Sequence, residues 1–272
     1  AGCLAEIGQT ETGQVLLPVY HYDVINVPFW KGENLVVDTG CGIVCTVPGT
    51  LCRLVCAPGG FDASRFLQAL CSDPSEEAQT LFDQLCAYDA FNTRLIVNLL
   101  LNRIRAAAVP PAQVVVGNPP WINWEYLPAE YKKKSQHLWP AYGLFDLRGR
   151  DLSFSKEDIS VLVTYLVLHR CVEERGVLCF LLKQALFKSN QNAMGFRRFA
   201  VGPAGTPVRV MEVEDLSALQ PFPDLHVPSA VVRMKKGEPN RYPVPYRLWR
   251  GKRGFVQKSR QQGADIEAVA PF

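Results

Sequence analysis

Apolar residues fall into two patterns along this chain, continuous runs and helical repeats, and their order predicts an α/β fold. Val114-Val115-Val116 is a β-branched run that reads as a buried strand; Gly117 breaks it, and the stiff turn Asn118-Pro119-Pro120-Trp121 follows. Ile159, Leu162, Val163, Leu166, Val167 and Cys171 share one side of a helix predicted over residues 158–174. Gly176 ends that helix, and Val177-Leu178-Cys179-Phe180-Leu181-Leu182 reads as a fully buried strand. Helix, glycine, strand is the returning half of an α/β crossover. Residues 208–213 and 229–234 read as two more strands, and residues 183–187 lead towards a helix near 195–199.

Upstream, residues 15–23 read as a strand ending in Asp23. Val37-Asp38-Thr39-Gly40-Cys41-Gly42 has the glycines of a nucleotide-binding loop, but such a loop runs from a strand into a helix. Here Ile43-Val44-Cys45-Thr46-Val47 is β-branched and stopped by Pro48, which predicts the second arm of a hairpin. The acid expected about twenty residues further on in a dinucleotide fold is also missing. Phe66, Leu67 and Leu70, then Leu81, Phe82 and Leu85, then Leu95, Ile96, Leu99 and Leu100 recur at helical spacing. Pro110-Pro111 closes this helical lobe.

Composition narrows the class. With 48% apolar and 20% charged residues, the 272-residue chain is an ordinary globular sequence with room for a substantial core. No apolar run is long enough to span a bilayer and no signal peptide opens the chain. The net charge of +3 permits a polyanion partner without demanding one. Nine cysteines, an odd number set mostly among apolar neighbours, suggest reduced thiols and a cytoplasmic location. Cys41, Cys45, Cys52 and Cys56 form two C-x3-C pairs that zinc could use, yet no histidine joins them and the tight C-x2-C spacing is absent. They read better as small hydrophobes, with no metal expected. The sequence opens on Ala1 rather than methionine, as an excised piece of a longer protein would.

The chemistry concentrates at residues 118–121. Asn118 offers a side-chain carbonyl, and the Pro119 main-chain carbonyl can point the same way. Pro119 and Pro120 fix the backbone and bring no N–H, so the loop presents mainly acceptors, and Trp121 adds a stacking face. Such a loop suits a flat aromatic amine: held by two acceptors, the amine loses conjugation with its ring and becomes a better nucleophile without prior deprotonation. A merely stiff turn, or a proline-rich ligand for another domain, is the competing reading, and the strand before the motif argues against the second.

Asn-Pro-Pro-Trp at a strand end resembles the signature of S-adenosylmethionine-dependent DNA methyltransferases that modify adenine at N6. The longer run VVVGNPPWINWEYLPAEYKKKSQHLWPAYGLF is similar to the large methylases of type IIG restriction–modification and related phage-defence systems. The resemblance implies a partial Rossmann-like methyltransferase sheet with an inserted lobe: residues 1–26 and 112–240 as core, 27–111 as hairpin-plus-helices insertion, and 241–272 as a basic linker towards a target-recognition region. It implies S-adenosylmethionine as cofactor, with Asp23 near its adenine, and places the main glycine loop upstream of residue 1. Double-stranded DNA is the implied partner and no membrane is involved; a nuclease or recognition domain in the same polypeptide is part of the expectation. Catalytic roles fall on Asn118, Pro119, Pro120 and Trp121. Phe222, in Pro221-Phe222-Pro223-Asp224, would stack on the extruded base with Trp121, and Lys132, Lys133 and Lys134 would meet phosphates unless they form a solvated face. Asn-Pro-Pro also serves methylation of RNA adenine and protein glutamine, and an inactive methylase-like module that binds DNA or scaffolds a defence complex is the rival from another class.

Overall fold

The computed structural model describes residues 8–9, 15–16, 24–39, 43–57, 61–145, 156–188, 193–219, 227–251 and 266–269. Asp23, Cys41 and Phe222 lie outside the described residues. The chain divides into two compact units, Ala1–Pro110 and Pro111–Phe272.

In the first unit, β1 (Gly8–Gln9) pairs antiparallel with β2 (Val15–Leu16), and β3 (Phe29–Lys31), β4 (Asn34–Asp38) and β5 (Val44–Val47) form an antiparallel sheet. Leu35 and Val37 point inward from β4, and Cys45 and Val47 from β5, the period-two alternation of a strand with one buried face. β4 and β5 therefore pair as the two arms of a hairpin, Asp38 opposite Val44 with Thr39 N donating to Ile43 O at 3.0 Å, and the strand after Thr39 is β5, not a helix. Four helices follow: α1 (Gly49–Cys56), α2 (Ala63–Ser72), α3 (Glu76–Cys86) and α4 (Ala90–Ala108). Asp62, Ser75 and Asp89 cap the last three, each side chain accepting from a backbone N–H in the first turn. Phe66, Leu70, Leu81, Leu85, Ile96 and Leu100 join the strand residues in one core. Cys45 and Cys52 belong to it; burial pushes their thiols up to about 11 and about 12. Among the described residues no group of three metal-ligating side chains forms.

The second unit is an α/β sheet. Its strands are β6 (Ala112–Gly117), β7 (Val172–Lys183), β8 (Ala200–Val201), β9 (Thr206–Asp215), β10 (Ser229–Lys236), β11 (Tyr246–Gly251) and β12 (Ile266–Val269). The order across the sheet is β12-β11-β9-β10-β7-β6, with β8 pairing β9. β6 is parallel to β7, β10 is antiparallel to both β7 and β9, and β11 is parallel to β9. It follows that β6, β7, β9 and β11 share a direction, and Gly117, Lys183 and Asp215 end their strands along one edge. Helices α5 (Ala129–Ser135), α6 (Leu138–Ala141) and α7 (Ile159–Arg170) connect β6 to β7, and α8 (Ala185–Lys188) follows β7.

Three expectations change. The strand before the motif is only half covered: Val114 and Val116 are 61% and 75% exposed. Among the described residues β6 is an edge strand, paired on one side by β7, and one of its faces carries no packing partner. The crossover helix stops at Arg170 and not near residue 174, because Val172 already pairs with Ala112 as the first residue of β7. Val161, Tyr165 and Leu168 are buried in α7 along with Ile159, Leu162 and Leu166, so the helix is covered nearly all round and has no clean polar face. In the stretch expected as a basic linker, Tyr246–Gly251 is a strand of the sheet.

Candidate functional site

The carboxyl edge of the parallel strands is where open α/β sheets bind ligands, since the connecting loops diverge there and leave a crevice. The Asn118–Trp121 turn leaves β6 at that edge. Gly117 pairs with Phe180, and a methyl group on Gly117 would sit 3.0 Å from Phe180 Cε1, so the bare Cα lets the strand end lie against that ring. Asn118 is exposed, Pro119 buried, Pro120 exposed and Trp121 half-buried. The Trp121 indole Nε1 donates to the Leu181 carbonyl at 3.3 Å, which pins the ring to the last residues of β7.

The far end of the turn is held as firmly. Ile122 O accepts from Ile159 N at 2.9 Å, and Trp124 N donates to Glu157 O at 2.8 Å. Asn123 and Asp158 form an isolated antiparallel bridge. Lys183, which ends β7, donates from Nζ to Asn123 Oδ1 at 3.2 Å, and its ammonium lies 2.5 Å from Asp158 Oδ2. Asp158 is buried and caps α7 through Ser160 N. Trp124 packs edge-on against Trp139, their centroids 5.7 Å apart, and so ties the segment into the core. Neighbouring Glu157 is buried, and burial raises its carboxyl above the usual range while Oε1 accepts from Ala193 N.

A second polar cluster ends β9. The buried Asp215 carboxylate accepts from Gln184 Nε2 at 2.8 Å, Ser217 N at 2.8 Å and the Tyr246 hydroxyl, and it pairs with Lys188 at 3.1 Å. Burial works to raise its pKa, but the hydrogen bonds from Ser217, Tyr246 and Gln184 outweigh it and hold the group below the ordinary carboxylate range. Lys188 Nζ also lies 4.9 Å from the centroid of the Tyr246 ring.

Of the expected site residues, Asn118, Pro119, Pro120 and Trp121 form one loop at this edge. Lys132 turns inward, its ammonium donating to Glu125 O at 2.8 Å, whereas Lys133 is exposed and Lys134 half-buried. Sequence reasoning missed Lys183, Asp158 and the Asp215 cluster. A faint signal existed: Lys183 and Asp215 are charged residues placed directly at the ends of apolar strands. An open cleft of about 470 Å³ among Pro140, Phe145, Met194 and Arg198 is lined by none of the expected residues. Residues that fit S-adenosylmethionine are few: Asn118 offers an acceptor, but the Phe180 ring takes up the space beside Gly117, and the described residues include no strand-to-helix glycine turn for its carboxylate and ribose.

No protein-family model and no curated protein sequence matches the chain. Among solved structures, the similar chains include a methyltransferase and a restriction–modification enzyme. One, from Listeria monocytogenes, is described as a class I S-adenosylmethionine-dependent methyltransferase; the match is 12% identical with a TM-score of 0.37 and covers 57% of this chain and 46% of that one. The other is the ATP-dependent type ISP restriction–modification enzyme LlaBIII bound to DNA, 16% identical with a TM-score of 0.33, covering 57% of this chain and 11% of that one. No helix among the described residues is long and apolar enough to cross a membrane.

Proposed function

We propose that the second unit carries the base-gripping half of an S-adenosylmethionine-dependent methyltransferase acting on adenine N6 in DNA. The observation that carries this reading is the Asn118-Pro119-Pro120-Trp121 loop, with Asn118 exposed at the carboxyl edge and Trp121 pinned to Leu181. Charge favours the same unit as the face towards a polyanion. Residues 111–272 hold 23 Lys and Arg against 15 Asp and Glu, a balance of +8, whereas residues 1–110 hold 6 against 11, a balance of −5.

Adenine N6 is out of reach inside a duplex, so the base must be rotated out at a cost of a few kcal/mol in lost stacking. Trp121 offsets part of that, since base–aromatic stacking is worth about 1–3 kcal/mol, and Phe222 is proposed as its partner. Asn118 Oδ1 and the Pro119 carbonyl accept from the two amino hydrogens and turn the nitrogen lone pair out of the ring plane. S-adenosylmethionine, when bound, supplies an electrophilic methyl group. The chain's own contribution is positioning: stiff prolines, two acceptors and one ring. Asp23 is proposed to bind the cofactor's adenine.

In the polypeptide as its gene encodes it, Asn118→Ala is expected to abolish methyl transfer to DNA while titration shows S-adenosylmethionine affinity nearly unchanged. Near-normal turnover in that variant would remove Asn118 from the mechanism.

A further inference from the structure

We propose that Lys183 is a positioning residue, fixing the far end of the Asn118–Trp121 loop through Asn123; its catalytic consequence rests on the methyl-transfer reading above, its structural consequence does not. Two successive prolines leave the loop little internal freedom, so the place of Asn118 is set by where the loop's ends are held. The near end is held by strand pairing at Gly117. The far end meets β7 twice, two residues apart: Trp121 through the Leu181 carbonyl and Asn123 through the Lys183 ammonium. Asp158 holds that ammonium at 2.5 Å and is itself fixed by capping α7, so strand end, helix start and loop meet at one nitrogen. A lysine suits this junction because its ammonium is compact and can donate to Asn123 while its charge pairs with the Asp158 carboxylate.

Displacing a reacting group by about 1 Å can cost a hundredfold in rate. Loss of the Lys183 grip therefore reaches turnover without Lys183 touching substrate.

The test uses the gene-encoded polypeptide with its tryptophans replaced by 5-fluorotryptophan; Trp30, Trp121, Trp124, Trp139 and Trp249 give the reference lines in this chain. Lys183→Met leaves the buried Asp158 carboxylate without its counter-charge and risks misfolding. The double variant Lys183→Met with Asp158→Asn removes both charges and keeps the comparison clean. In the double variant the fluorine line of Trp121 is expected to shift or broaden while those of Trp30 and Trp249 stay in place. The kcat for methyl transfer should fall at least about tenfold with the KM for S-adenosylmethionine within about twofold. Lys183→Arg, which keeps the charge and two donors, is expected to restore most of both signals. An unmoved Trp121 line in the double variant overturns the proposal, and so does a moved line with unchanged kcat. Should Asn118→Ala also leave turnover intact, the reading of the site has failed, and Lys183 is judged on the Trp121 line alone.

Discussion

At the scale of single residues, the site is a loop held by buried charge. Asp158 is 3% exposed, and Lys183 is its ion-pair partner. Removing one member of a buried pair typically costs about 3–5 kcal/mol, because the survivor is left desolvated without compensation. Lys183→Met should therefore lower unfolding free energy in urea by roughly 3 kcal/mol, since Lys183 keeps 20% of its side chain in water, and adding Asp158→Asn should recover most of the loss. Asp215 sets a pH limit. Its folded pKa lies below the ordinary value of about 3.9, so its contribution is present above that pH and is lost as pH falls further, because the unfolded chain takes up a proton that the folded chain resists. Asp215→Asn should be less stable than the parent near neutrality, and the gap should narrow below about pH 4; equal stability at all pH values would contradict the assigned bonds. The Asn118–Trp121 loop was legible because its four residues are adjacent. Lys183 with Asn123, 60 positions apart, and Gln184 with Asp215, 31 apart, were not, since nothing in the sequence marks a pairing that only the fold creates.

At the scale of elements, the runs of apolar residues marked the strands but not how far each is covered. Val114-Val115-Val116 has the composition of a buried strand, yet among the described residues nothing packs over the face that carries Val114 and Val116. Leu182, in the neighbouring β7, is fully buried. Val116→Thr should change stability by less than about 0.5 kcal/mol, as surface substitutions do, whereas Leu182→Ala should cost about 2–5 kcal/mol. Comparable losses from the two would show that the outer face of β6 is covered in solution. The end of α7 was misjudged for a related reason. Lys236 Nζ, from β10, donates to His169 O at 3.1 Å and Val172 O at 2.9 Å, closing the helix at a point that helical spacing could not reveal.

At the scale of the whole molecule, the α/β class was legible from the alternation of strand, helix and strand around the motif. The strand order was not. β10 enters antiparallel between β7 and β9, although β9 comes before it in sequence, and no local pattern specifies which edge a strand joins. The separation of charge between the units was likewise hidden behind the net value of +3. It makes a prediction about DNA affinity, which should fall with rising salt through cations of residues 111–272. Replacing Lys133 and Arg250 by Gln should make the slope of log affinity against log salt shallower by about 0.9 for each phosphate that is no longer neutralised. Replacing Arg65 and Arg94 of the first unit should leave it unchanged.

If the Asn118–Trp121 loop grips the amino edge of an extruded adenine, the product of the reaction must carry its methyl group at N6. Duplex DNA is incubated with the gene-encoded polypeptide and S-adenosylmethionine labelled in its methyl group, then digested to nucleosides and separated. The expected result is label in N6-methyldeoxyadenosine, reduced at least about a hundredfold in Asn118→Ala. Label in a cytosine product, or equal label in adenine from parent and variant, would contradict that role for the loop.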